Sequence, residues 1–145
     1  MTILQLLEKA QTDWPNLKKD ELDNEAARIP GLWNEWHKEY ITIHIEMLEA
    51  EKKLKKLLVE KYEYYSGKAD PQVYKDKPFG PKLVTKEKIE QYVENDEEVE
   101  KLRFNLNVMI EKDASIKRIL DQIKERNWLI RNAIEALKYY NNNQV

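Results

Sequence analysis

An all-α fold is what this sequence predicts, on three observations. Glycine is scarce, at three of 145 residues. Glu, Lys and Leu, which favour helix, are abundant. Two long stretches carry apolar residues spaced alternately three and four apart, the period of helices packed along a seam. The length suits one helical domain with one modest core, residues 1–145.

Short helices are expected over residues 2–30. Thr2 caps the first, which runs to about Gln11 with Ile3, Leu4, Leu6 and Leu7 apolar and Pro15 just beyond. A second runs from about Asp20 to Arg28 and is stopped by Pro30-Gly31. A long basic and aromatic helix follows over 32–66. Its seam reads Trp33, Trp36, Tyr40, Ile43, Met47, Ala50, Leu54, Leu57, Lys61, Tyr64, and Lys61 is the one member that breaks the apolar pattern. Ile41, Ile45, Leu48, Leu58 and Tyr62 widen the stripe. Gly67 ends the helix, because glycine takes the left-handed conformation that terminates one.

Residues 67–84 read as a Pro-rich loop, since Pro71, Pro78 and Pro81 leave no room for a helix. The C-terminal helical region covers 85–140. Thr85 caps a short helix through about Val93, and Asn95-Asp96-Glu97-Glu98, a cap with Glu at N3, opens the last one. Its seam reads Val99, Leu102, Leu106, Met109, Asp113, Ile116, Leu120, Ile123, Asn127, Ile130, Ile134, Leu137. Asp113 and Asn127 either fix register, as polar seam residues do, or are turned to solvent by helical drift. The two long helices are expected to pair as an antiparallel hairpin. That hairpin leaves apolar surface for a homo-oligomer to bury, and Ile116, Leu120, Ile123, Ile130, Ile134 and Leu137 are the strongest self-association signal.

Composition also excludes chemistry. Cysteine is absent, which removes disulfides, thiolate zinc sites and cysteine nucleophiles. Gly31, Gly67 and Gly80 lie too far apart for a phosphate-cradling loop. His37 and His44 are separated by roughly 10 Å along a helix, too far to share a metal. No enzyme activity, catalytic residue, metal or cofactor is expected. The chain has no run of 18 apolar residues and no basic, cleavable leader, so neither a membrane span nor secretion is expected.

The net charge of −2 hides a segregation. Residues 1–51 carry −6, 52–88 carry +6, 89–100 carry −6 and 101–145 carry +4. The positive block is also aromatic, with Lys52, Lys53, Lys55, Lys56 and Lys61 followed by Tyr62, Tyr64 and Tyr65, and the loop adds Lys68, Tyr74, Lys75, Lys77, Phe79 and Lys82. Cations that track phosphates beside rings that stack on bases are how single-stranded nucleic acid is held. A solvated lysine face next to core tyrosines has the same composition, and both readings stand. Lys61, set between Leu57 and Tyr64 on the apolar seam, needs a reason to be there.

The stretch IEMLEAEKKLKKLLVEKYEYYSGKAD resembles the central helix of the UvsY family, the recombination mediators of T-even-like phages. Glu46-Met47-Leu48, Lys52-Lys53 and Tyr64-Tyr65-Ser66-Gly67 with basic Lys68 carry the resemblance. Glu25-Ala26-Ala27, Trp36, Asn95-Asp96-Glu97-Glu98 and Asn132-Ala133-Ile134-Glu135 extend it over roughly Glu25 to Leu137. The resemblance implies a protein of the host bacterial cytoplasm during phage infection. Such a protein binds single-stranded DNA and loads a RecA-like recombinase onto strands coated by single-strand-binding protein, without hydrolysing nucleotide. It also implies a ring-shaped homo-oligomer, a hexamer or heptamer. The family's basic position before the tyrosine pair falls on Lys61, while a second falls on Val59 and departs from the pattern; Lys55, Lys56 or Lys68 could compensate. The DNA-binding set is then Lys52, Lys53, Lys55, Lys56, Lys61, Tyr65, Lys68, Lys75 and Lys77. The acidic residues 89–100 face basic partner surfaces or solvent. Two other classes stay open. One is a coiled-coil adaptor that binds no nucleic acid; the other is a peripheral membrane binder, which Glu60 and Glu63 oppose by interrupting the basic face.

Overall fold

α1 (Ile3–Asp13) starts where Thr2 closes a capping box with Gln5, each side chain accepting from the other's backbone N–H. The computed structural model describes residues 1–83 and 85–143, so Val84, at the end of the expected loop, lies outside the described residues. Four more helices follow: α2 (Leu22–Ser66), α3 (Pro71–Asp76), α4 (Lys86–Glu94) and α5 (Glu97–Asn142). The described residues contain no strand, and the fold is all-α.

Two boundaries differ from expectation, both at prolines. The short helix at Asp20–Arg28 does not exist separately, because α2 continues through Pro30 and Gly31 for 45 residues. Pro30 is exposed while Ile29 and Leu32 beside it are buried. Pro30 removes one backbone hydrogen bond, and core packing through Ile29 and Leu32 holds the helix together across it. In the loop, Pro71 opens α3 instead of forbidding it. It stands at the first helical position, where no N–H is needed, and Asp70 caps through Gln72 N–H. At the end of α2, Gly67 has φ +79°, and its N–H and that of Lys68 donate to the Tyr64 and Glu63 carbonyls.

The expected single core is two clusters, one in each of two compact units. Unit one is Met1–His44 with Glu111–Val145. There α2 and α5 run antiparallel, paired at Glu25–Arg126 and His44–Asp113. Trp36 and six isoleucines are buried with Leu6 and Ala10 of α1. Arg28 donates to the Asp13 carbonyl and Trp36 Nε1 to the Asp13 carboxylate at 3.0 Å, which ties the end of α1 down. Arg126 is buried and bridges Glu25 at 2.9 Å and the Pro15 carbonyl at 2.6 Å. Burial alone would raise the Glu25 pKa, but hydrogen bonds from Arg126 and Arg28 hold it below the ordinary carboxylate value.

The seam of α5 is spent inside the chain. Ile116, Ile123 and Ile130 are fully covered, Leu120 is buried, and Ile134 and Leu137 pack against the same cluster. The expected self-association surface is thus largely the chain's own core: four of these six side chains are buried, and Ile134 and Leu137 are half-buried against them. Of the polar seam residues, Asn127 is exposed, as helical drift predicts. Asp113 is buried, and its carboxylate meets His44 Nδ1 at 2.7 Å and Lys117 Nζ at 3.2 Å. Both partners of Asp113 belong to the same unit.

Candidate nucleic-acid interface

Unit two is Ile45–Ile110, and its core is small: Leu54, Ile89, Val93 and Val99, with Leu57, Leu58, Tyr65, Leu83, Leu102 and Leu106 packed around them. Leu54 fixes the inward side of this stretch of α2. At about 100° per residue, Lys52 and Lys56 then point directly outward, with Lys55 and Lys53 on the two flanks. All four are exposed, and none forms an ion pair among the described residues. Leu48 lies exposed one turn before them, and Val59 and Tyr62 lie exposed one and two turns after. The result is a row of cations flanked by exposed apolar and aromatic side chains. Val59, where the resemblance expects a cation, is 61% exposed on this same face, one turn from Lys55 and Lys56.

Lys61 points the other way. Its side chain is only 15% exposed, and Nζ lies 3.2 Å from Asp96 Oδ2 and 3.6 Å from Glu98 Oε1. It also sits over the Tyr64 ring at 5.8 Å. The seam lysine has a structural partner, and that is its reason for being there.

Asp96 is the hub of this arrangement. The expected cap was Asn95, but Asn95 instead closes α4, and Asp96 caps α5 by accepting from Glu98 and Val99 N–H. The shift by one residue follows from Val99, whose full burial sets the rotation of the first turn. The other oxygen of Asp96 accepts from the Tyr65 hydroxyl at 2.7 Å and from Lys61. Burial would raise the Asp96 pKa, but the bonds from Tyr65, Val99 N–H and Lys61 outweigh it and hold the carboxyl below its ordinary value. Burial and the same Asp96 bond push the Tyr65 phenol upward.

Tyr65 is consequently no stacking platform. Its ring packs edge-on to Phe79 and tilted against Tyr92, as part of the core. The loop aromatics are likewise used internally. Tyr74 stacks on Tyr64 and donates to its carbonyl at 2.7 Å, while the Tyr64 hydroxyl donates to the Lys77 carbonyl at 3.0 Å. These bonds bind the proline-rich segment to the end of α2.

Of the loop cations, Lys68 and Lys75 are exposed without an ion pair among the described residues, whereas Lys77 meets Glu98 at 3.3 Å. Lys61 and Lys77 line a cleft of about 700 Å³ whose other charged walls are Glu60, Glu63, Asp70, Asp96, Glu97 and Glu98. Six carboxylates against two ammonium groups make this cleft hostile to phosphate. The unpaired lysines of α2 lie on its outer face instead. The structure therefore divides the expected DNA-binding set. Lys52, Lys53, Lys55, Lys56, Lys68 and Lys75 are free cations; Lys61 and Lys77 are paired with acids, and Tyr65 is internal. Sequence reasoning missed Asp96 as a hub, although an Asp before Glu-Glu-Val is a helix-start signal.

A family model described as "Recombination, repair and ssDNA binding protein UvsY" matches residues 10–143. No curated protein matches the chain. Among solved structures, the recombination mediator protein UvsY of bacteriophage T4 is similar in several crystal lattices. In lattice type II the TM-score is 0.84 at 24% identity, covering 99% of each chain. In lattice type I it is 0.80 at 25% identity, covering 94% of this chain and 98% of that one.

Proposed function

Given that the chain belongs to the UvsY family of recombination, repair and single-stranded DNA binding proteins, we propose that it acts as a recombination mediator. In this reading it binds single-stranded DNA and promotes loading of a RecA-like recombinase onto strands coated by single-strand-binding protein. It does so by binding alone, with no catalysis of its own, in the cytoplasm of a phage-infected host. The observation that carries the reading is the row of exposed, unpaired lysines on α2, Lys52, Lys53, Lys55 and Lys56. Cations of this kind neutralise phosphates without reading base sequence.

A homo-oligomeric ring, hexameric or heptameric, repeats that weak site, so one strand engages several subunits and gains by effective concentration. Because the α5 seam is filled within one chain, the surfaces that join subunits must be other ones. Exposed Phe104 and Ile110 on α5 are available for it. Acidic residues of 89–100 that remain exposed, such as Glu90 and Glu100, offer contacts to basic surfaces of the protein partners.

Salt titration of oligonucleotide binding tests the core of this reading. Single strands contribute about −0.7 to the log–log slope per neutralised phosphate, so four contacts give about −3. A slope near zero, or a marked preference for duplex, would leave a coiled-coil adaptor as the better description.

A further inference from the structure

Trp128 is 63% exposed, although tryptophan is normally covered. Its stripe on α5, at spacings of three and four, reads Asp121, Lys124, Trp128, Arg131, Glu135, Lys138. A helix that packs on another helix carries apolar residues at these positions. Here one large aromatic ring stands in a charged run with only Leu129 exposed directly beside it, which does not make a seam. Lys124 and Arg131, one turn before and one turn after, are exposed and form no ion pair among the described residues. Glu135, the acid nearest on the C-terminal side, is offset by Lys138 at 3.9 Å. Beside the indole lies an open cavity of about 440 Å³, walled also by Arg131, the Asn132 amide, Ile134 and Glu135. A flat π-face with one free cation and an amide at the cavity, and a second free cation, Lys124, one turn away outside it, suit a nucleotide unit of a single strand.

We propose that the C-terminal half of α5 carries a second contact for single-stranded nucleic acid. An unpaired base stacks on the Trp128 indole, and the flanking phosphates meet Lys124 and Arg131. The inference rests on the reading of the chain as a single-strand binder. It adds a site that shares no residue with the lysine row of α2.

Indole fluorescence of the full chain, titrated with oligothymidylate, tests it. Trp36 is fully buried and Trp14 and Trp33 are half-buried, so Trp128 dominates any quenching by a stacked base. Trp128→Phe keeps a stacking ring and should abolish the quench while leaving affinity within about twofold. Trp128→Ala should abolish the quench and weaken binding about tenfold, with helicity and melting temperature unchanged. Arg131→Ala should lower the salt slope by about 0.7. A parent chain that binds no oligonucleotide overturns the mediator reading, and this site with it. A parent that binds, alongside a Trp128→Ala variant that binds equally well, overturns the site alone. So does a Trp128→Ala variant whose particle mass falls while a short oligonucleotide binds as before, since the face then belongs to a second copy.

Discussion

Unit one and unit two are built from the same two long helices, yet they hold themselves together differently. Unit one buries Trp36 and six isoleucines and keeps its charged pairs, Glu25–Arg126 and His44–Asp113, beside that packing. Unit two has a smaller apolar cluster, Leu54, Ile89, Val93 and Val99, and sets a charged and hydrogen-bonded group, Lys61–Asp96–Tyr65, next to it. Helix alone does not decide this; the side chains that each seam presents do. The unit with the smaller apolar core is also the one that displays the lysine row, where a second layer of packing would cover the cations.

The sharpest way to break this contrast is a charge in unit one. Ile123 is fully buried, so Ile123→Glu should cost about 4 kcal/mol or more and abolish cooperative unfolding of that unit, read by circular dichroism on heating. Retained helicity and melting temperature with a smaller particle mass would instead show that Ile123 faces another subunit.

In unit two the matching test separates the inward lysine from the outward ones. Lys61→Ala removes one of four partners from a buried carboxylate and should cost about 1–3 kcal/mol, seen as a lower melting temperature. The Lys52→Ala, Lys56→Ala double variant should leave stability within about 0.5 kcal/mol and reduce the salt slope of DNA binding by about 1.4. Equal melting temperatures for Lys61→Ala and its parent would restore Lys61 as a free DNA contact.

The helices with local caps were legible from sequence, as Thr2 and Thr85 show, because a cap is decided within four residues. The prolines were not. Whether Pro30 stops a helix depends on Ile29 and Leu32 being buried by residues distant in sequence. The seams were legible as buried stripes, but periodicity does not say what covers them, and for Ile116, Ile123 and Ile130 the cover is the chain itself. The same limit applies to the candidate site. Spacing located the lysine block, but only the rotation set by Leu54 distinguishes Lys52 and Lys56, which face out, from Lys61, which faces Asp96.

Acid should weaken both units, through different carboxylates. Asp96 and Glu25 are held below their ordinary values of 3.8 and 4.5. The stability each adds is complete above that ordinary value and is lost as pH falls through the lower folded one. Melting temperature should therefore drop below about pH 4. Asp96→Asn should flatten that drop in unit two and Glu25→Gln in unit one, whatever each substitution costs at neutral pH. An unchanged acid slope in Asp96→Asn would mean that Tyr65 and Lys61 do not bias its ionisation.

The smallest expected effect lies at Glu98. One oxygen of its carboxylate meets both Lys61, at 3.6 Å, and Lys77, at 3.3 Å, yet the side chain is 54% exposed. Exposed pairs of this kind contribute about 0.5 kcal/mol or less, so Glu98→Gln should hardly move the melting temperature. Asp96 continues to hold Lys61, because that pair is closer and more buried. Lys77, at 69% exposure, has no other acid partner among the described residues. Releasing it adds one free cation to unit two, and DNA affinity should rise by about two- to threefold at low salt, an effect that vanishes as salt is raised. Glu97→Gln, which removes an equal charge from the same cleft wall without touching an ion pair, is the control. If both variants gain equally, the gain is general charge and Lys77 stays out of the interface. If only Glu98→Gln gains, Lys77 joins the outward lysines once its acid is gone, and unit two holds a cation in reserve.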